Sequence, residues 1–207
     1  MKLILSAIPS ELESITQAVG ATKTGDVYEK GNIIFAPAGV GFVAAYQGLH
    51  QLLELYPTIR EVFFVGTAGV YASNSTLQIG DYVVVNSAIL ADGAAEMGLS
   101  KYASFMANRE ITATRVLEVE LPSAKVACLL TLTLSSELAL QIPKNTGAEC
   151  ENMELYAIAL KATEKNLPWG GLLGITNEVG PEGHQQWVEN RYKIEGYSFE
   201  FLGRYCS

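Results

Sequence analysis

Six apolar runs of strand length punctuate the chain: Leu3–Ala7, Ile33–Ala36, Val62–Val65, Tyr82–Val85, Val126–Leu132 and Leu172–Ile175. Their near-continuous hydrophobicity predicts strands covered on both faces, because a half-exposed strand alternates apolar with polar residues. Between them, Ser10–Val19, Val43–Leu55 and Leu155–Lys165 carry apolar residues at helical spacing. The alternation of strand and helix predicts an α/β fold, a single-domain three-layer α/β/α sandwich with a largely parallel central sheet. In that class, functional side chains gather at the carboxyl ends of the strands.

Ser10-Glu11-Leu12-Glu13 reads as a capping box, with Ser10 accepting from the backbone of Glu13 and Glu13 reaching back. That leaves Glu11 outside the box. Residues Asp92 to Arg115 have weak periodicity and read as a long excursion over the sheet edge, of the kind that often serves as a lid. No repeat or interdomain linker stands out, so residues 1–207 are expected to form one domain.

Composition narrows the function. A chain that is 49% hydrophobic and 17% charged can bury a full core. A net charge of −8, with Lys and Arg scattered, leaves no basic stripe to displace counterions, so nucleic acid is not an expected partner. The amino-terminal apolar run, Leu3 to Ile8, is too short for a secretory or membrane-spanning segment, and a soluble cytoplasmic protein without membrane association is expected. Cys128, Cys150 and Cys206 show no CxxC spacing and read as reduced thiols. With only His50 and His184 as imidazoles, neither a His-based metal centre nor a Ser-His-Asp triad is expected.

Gly39-Val40-Gly41-Phe42-Val43-Ala44 formally matches a dinucleotide fingerprint, although small residues that let a helix pack closely on a sheet explain it more simply. Gly66-Thr67-Ala68-Gly69 reads as a turn after Val62–Val65, offering backbone N–H groups and a hydroxyl. Glu151 and Glu154 flank Asn152-Met153 at an expected helix start, where the helix dipole alone accounts for one carboxylate. The other can accept from a vicinal diol, with Met153 as a soft wall against a sugar ring. Asn177 can cap a turn, and it is also one of the few side chains that present paired donor and acceptor groups to a purine edge. Trp187 reads more simply as a core anchor and His184 as a surface residue.

Together these motifs resemble the nucleoside phosphorylase/nucleosidase superfamily, and within it the futalosine hydrolases of menaquinone biosynthesis. The resemblance spans nearly the whole chain. It rests on Ser6-Ala7-Ile8-Pro9-Ser10-Glu11, the Gly39–Gly41 loop, Gly66–Gly69, Leu77-Gln78-Ile79-Gly80-Asp81, Glu151–Glu154, and Thr176-Asn177-Glu178-Val179-Gly180-Pro181 with Trp187. It implies a phosphorylase/hydrolase-like fold, with Glu11 activating a water, Glu154 binding ribose hydroxyls beside Met153 and Asn152, and Asn177 at the purine N7. Thr67, Ala68 and Gly69 would line the substrate site. No metal or organic cofactor is implied, and the usual assembly is a homodimer. The activity implied is N-glycosidic hydrolysis of a 6-oxopurine nucleoside, futalosine giving hypoxanthine. Alternatives are a methylthioadenosine/S-adenosylhomocysteine-type nucleosidase, a purine nucleoside phosphorylase, and a non-catalytic nucleoside- or dinucleotide-binding module.

The carboxylates suit an oxocarbenium-like transition state, and a donor at the departing base offsets its growing negative charge. Members acting on adenine nucleosides carry Asp where this chain has Asn177; an amide NH₂ instead donates toward N7 and O6 of a 6-oxopurine. Phosphorylases of the superfamily hold phosphate with arginines, and residues 1–59 contain none, which favours water as the nucleophile. Two features depart from the family pattern. No aromatic stands near Leu134-Ser135-Ser136-Glu137 to stack on the base, leaving Phe42, Trp187 or aliphatic contact for that role. Glu182-Gly183-His184 replaces a more basic tract, leaving Arg109 and Lys101 as alternative partners for a substrate carboxylate.

Overall fold

The computed structural model describes residues 1–73, 76–103, 109–195, 201–202 and 205–206. In chain order the elements are β1 (Lys2–Ser6), α1 (Ser10–Ala18), β2 (Thr22–Thr24), β3 (Val27–Lys30), β4 (Ile33–Pro37), α2 (Phe42–Leu55), β5 (Glu61–Val70) and β6 (Tyr82–Leu90). There follow α3 (Gly93–Glu96), β7 (Glu110–Thr112), β8 (Ser123–Cys128), α4 (Ser136–Thr146), β9 (Cys150–Asn152), α5 (Leu155–Glu164), β10 (Trp169–Glu178) and α6 (Gly183–Glu195). The α/β class expected from the apolar runs is what forms.

The central strands are covered on both faces, as their hydrophobicity requires. Leu3 and Leu5 of β1 join Val62 and Phe64 of β5 in a core that includes Leu49 of α2 and Leu155 and Ile158 of α5. Ile4, one residue out of phase, packs on the opposite face with Phe35, Phe63, and Leu12 and Ile15 of α1. Period-2 alternation thus distributes one strand between two helical layers.

The sheet is mixed rather than mostly parallel. β1 pairs in parallel with β4 and β5, as do β10 with β5, β6 with β8, and β8 with β9. The pairs β2–β3, β3–β4, β5–β9, β6–β7 and β6–β10 are antiparallel. Because β5 pairs with both β9 and β10, the succession β5, β9, β8, β6, β10 returns to its start and closes a ring. The sheet's twist, accumulated over few strands, brings the carboxyl ends of β5, β9 and β10 around one point.

Three expected local features differ. The first helix is not closed by Ser10: Pro9 stands at its amino end without a side-chain cap, and Glu11 Oε2 accepts from the N–H of Ala7 at 2.9 Å and of Ile8 at 3.3 Å. The residue outside the expected box makes the backward reach. Gly66–Gly69 is not a turn but the last stretch of β5, paired with Leu173 to Asn177 of β10. Its N–H groups face a ladder because β10 runs over 10 residues, Trp169–Glu178, well past both ends of its apolar centre Leu172–Ile175. The apolar run 126–132 leaves the sheet after Cys128, since its partner β9 ends at Asn152 and no ladder remains to extend it.

The excursion from Asp92 to Arg115 contains α3 and β7; residues 104–108, at its centre, lie outside the described residues. Its described part is pinned against α4. Buried Glu96 accepts from Tyr102 and Arg109, and Asn145 Nδ2 donates to its carbonyl at 2.9 Å.

Candidate active site

A cavity of about 260 Å³ opens where β5, β9 and β10 end. Glu11, Thr67, Ala68, Gly69, Asn152, Met153, Glu154 and Asn177 all line it. Residues up to 166 positions apart in the chain are thus gathered at the strand ends, as the fold class requires.

Gly69 is the point about which the site is arranged. On one edge of β5 it pairs with Glu151 of β9, and on the other with Asn177 of β10. A β-bulge between Ile175 and Asn177 turns the end of β10 toward the cavity. A Cβ at position 69 would lie 2.6 Å from Asn177 Nδ2 and 2.9 Å from Val179 Cγ2, so the missing side chain is what admits the amide. Asn177 Oδ1 accepts from the Thr176 hydroxyl at 2.9 Å, and its Nδ2 donates to the Glu178 carbonyl at 3.0 Å. An NH₂ group carries two protons, so one donation to Glu178 leaves capacity for a second.

Glu154 is fixed from across the molecule. Its Oε1 accepts from the Gly41 N–H at 2.8 Å. Gly41 has φ 82°, a left-handed conformation that suits glycine and points the amide at the start of α2 toward the carboxylate. The glycine loop that resembles a dinucleotide cradle thus donates to a carboxylate of its own chain. Close helix packing is visible too: a Cβ at Gly48 of α2 would stand 2.0 Å from the Ala38 carbonyl oxygen. Packing therefore accounts for the small residues there.

Asn152 lines the cavity but spends its amide on structure. Its Oδ1 accepts from the N–H of Glu154 and of Leu155, both at 2.8 Å, and its Nδ2 donates to the Thr67 carbonyl at 3.0 Å. It starts α5, holds β5 against it, and so aims the backbone that carries Met153 and Glu154. Glu151 is a strand residue, not part of a helix start; its carboxylate is buried against Tyr71 and Thr133.

Burial pushes the carboxyls of both Glu151 and Glu154 above the ordinary carboxylate range. Hydrogen bonds oppose it, from Tyr71 and Thr133 in the first case and chiefly from Gly41 in the second. No lysine or arginine lines the cavity among the described residues. Arg109 is committed to Glu96 and to the Leu90 carbonyl, and neither it nor Lys101 lines the cavity.

Trp187 is a cavity wall rather than a core anchor. Its indole N–H donates to the Thr67 hydroxyl at 3.1 Å, and exposed His184 stacks on its ring with centroids 5.9 Å apart. Both line the cavity; Phe42 packs instead on Tyr156. Leu132, Thr133 and Leu134 also line it; the sequence placed Leu132 at the end of a strand and Leu134 near the base, and did not mark Thr133. The alternation of Leu130, Leu132 and Leu134 with threonines looks like a strand, and no signal marks it as a loop.

The chain matches the family model described as the phosphorylase superfamily over residues 1–198. No curated protein matches it significantly. Among solved structures, it is similar to the 5′-methylthioadenosine/S-adenosylhomocysteine nucleosidase of Helicobacter pylori, with TM-score 0.81 and 19% identity over 98% of this chain and 96% of that one. The native futalosine hydrolase of Helicobacter pylori gives TM-score 0.80 and 19% identity over 98% and 95%. The nucleosidase of S. pneumoniae bound to a transition-state inhibitor gives 0.82 and 16% over 100% and 98%. At these identities the likeness is one of fold.

The close approach at Gly69 is testable alone. Gly69→Ala is expected to lower the urea midpoint by an amount worth about 1–3 kcal/mol, the usual cost of overpacking, and to displace the Asn177 amide. An unchanged midpoint with Asn177 in place in a crystal structure would refute the constraint.

Proposed function

The chain belongs to the phosphorylase superfamily, and from that premise we propose that it is an N-ribosyl hydrolase that cleaves a 6-oxopurine nucleoside, futalosine, releasing hypoxanthine. The observation that carries this reading is the convergence of Glu11, Glu154 and Asn177 on one cavity without a cation in its lining among the described residues.

In this reading Glu11, oriented by the Ala7 and Ile8 N–H groups, accepts a proton from a water that attacks the anomeric carbon. Glu154 accepts hydrogen bonds from the ribose hydroxyls, and Met153 lies along the sugar ring. As the glycosidic bond breaks, positive charge grows on the sugar beside the carboxylates and electrons pass to the purine, where the Asn177 NH₂ donates to N7. Leu132, Leu134 and Trp187 supply the base's apolar walls. Among the described residues, phosphate would meet Glu11, Glu151 and Glu154 without a lining arginine to offset them, which supports water as nucleophile.

The futalosine assignment rests on the Asn-x-Val-Gly-Pro pattern ending in Trp187 and on the amide at position 177. The similar Helicobacter pylori structures include both a methylthioadenosine nucleosidase and a futalosine hydrolase, so fold alone does not select between them. A homodimer fits the same reading: Val40, Leu132 and Leu134 line the cavity yet are 61%, 51% and 58% exposed, an apolar mouth that a second copy would cover. Sedimentation as a monomer at micromolar concentration would refute that assembly.

Purine release from futalosine, aminofutalosine, inosine and methylthioadenosine, with and without phosphate, tests the activity. Phosphate-independent release of hypoxanthine is expected, with Glu11→Gln slower by roughly 10²–10⁴-fold. Asn177→Asp should shift preference toward aminofutalosine by about tenfold or more. Release only with phosphate, or an unaltered preference, would overturn the respective assignment.

Burial of Glu154 also sets a pH dependence. Its carboxylate form accepts the diol and exists above its pKa, which lies above the ordinary 4.5. Affinity for a nucleoside, but not for free hypoxanthine, should therefore fall on acidification at a pH higher than an exposed glutamate would give. Titration of Trp187 fluorescence would check this; parallel loss for nucleoside and free base would count against the role.

A further inference from the structure

Between β8 and α4 the chain leaves the sheet and forms one wall of the cavity. Leu130, Leu132 and Leu134 in this loop are 63%, 51% and 58% exposed, whereas Thr133 between them is 4% exposed. Among the described residues, two hydrogen bonds tie the loop to the sheet and both start at Thr133. Its hydroxyl donates to Glu151 Oε2 at 2.7 Å and its N–H donates to Oε1 at 3.2 Å. Tyr71, itself buried, holds the same carboxylate through its hydroxyl at 2.6 Å.

We propose that Glu151 is a positioning residue for ligand binding, which sets the place of the Leu132–Leu134 wall through Thr133. Beyond Leu129, which is buried in the core, Thr133 is the one buried side chain of the loop, and bonded to one carboxylate through both its backbone and its hydroxyl it gives residues 130–135 their position. The loop's two donors, the N–H and hydroxyl of Thr133, meet a carboxylate that Tyr71 holds from outside the loop, and hydrogen bonds to a carboxylate are the strongest class open to a neutral loop. Glu151 is also the residue that β5 pairs through Gly69, with Asn177 on the other side. The apolar wall and the base-reading amide are therefore registered to a single glycine, and the gap between them is fixed by strand geometry. Without an aromatic platform in this loop, the site depends on where two leucines are held.

This role rests on the nucleosidase reading of the same cavity. The experiment compares Thr133→Val, Thr133→Ser, Glu151→Gln and the Thr133→Val/Glu151→Gln pair on whichever nucleoside the native protein cleaves, together with amide hydrogen exchange at Thr133. Thr133→Val should raise KM about tenfold with a much smaller change in kcat, and Thr133→Ser should restore KM. The double variant should match the worse single one, because both changes cut one link. Effects that multiply, a KM left unmoved by Thr133→Val, or no rescue by serine would overturn the proposal. If Glu151→Gln fails to fold, the valine and serine variants decide. If the native protein cleaves no nucleoside, the nucleosidase reading falls and exchange decides the anchor: faster exchange of the Thr133 amide in Glu151→Gln upholds it, and equal exchange overturns it.

Discussion

The bare end of β5 is the constraint from which the rest of the site follows. Gly66-Thr67-Ala68-Gly69 offers little side chain where two other strands arrive, and Gly69 offers none. Pairing on both edges there closes the ring of five strands and delivers Glu151 and Asn177 to opposite sides of one residue. Any larger residue would meet Asn177 and Val179 within van der Waals distance. The cavity is thus the space left by absent side chains, walled by residues whose separation the backbone sets. Strand ladders are stiff, so geometry fixed this way needs little ordering when a ligand enters.

Electrostatics follow from what that geometry excludes. Glu11, Glu151 and Glu154 are each buried and line one cavity, and neutral groups donate to each of them: the Ala7 and Ile8 N–H groups to Glu11, Tyr71 and Thr133 to Glu151, and the Gly41 N–H to Glu154. Neutral donors lower the cost of burying a carboxylate without cancelling its charge. In the proposed reading, the ionised forms of these carboxyls, with no lysine or arginine beside them in the described lining, stabilise a cationic sugar more in the transition state than in the ground state. Oriented dipoles in the described lining, rather than lining cations, would suit the cavity to a reaction that develops positive charge.

How far the sequence announced this differs from residue to residue. The buried strands were legible because a strand covered on both faces must be apolar throughout. Glu11, Glu154 and Asn177 were legible as motif residues, and their convergence followed from the strand-end rule. The short strand β9 was not: Cys150-Glu151-Asn152 carries two polar residues whose partners, Tyr71, Thr133 and the Thr67 carbonyl, lie 18 to 85 residues away. Nothing local to the chain states those pairings. Leu129 to Leu132, expected to extend the strand that ends at Cys128, misled for a related reason. A period-2 pattern describes side chains, whereas a strand also needs a neighbour, and β9 ends too early to supply one. The glycine stretch at 66–69 misled in the opposite sense, since missing side chains usually signal a turn and here signal crowding.

The Gly39–Gly41 loop shows how the same local physics serves a different end. A glycine-bracketed start of a helix presents N–H groups that favour an anion, which is why such loops cradle phosphates. Here the anion is Glu154, carried by a distant helix and seated on the Gly41 N–H. Once a carboxylate of the chain occupies that position, a phosphate group would have to displace it and leave a buried charge without its donor, a cost of several kcal/mol. The loop's Gly41 N–H is thereby occupied by a side chain of the cavity wall rather than offered to a nucleotide. The glycines serve conformation and the anion comes from within the chain, so the motif's ligand is part of the protein.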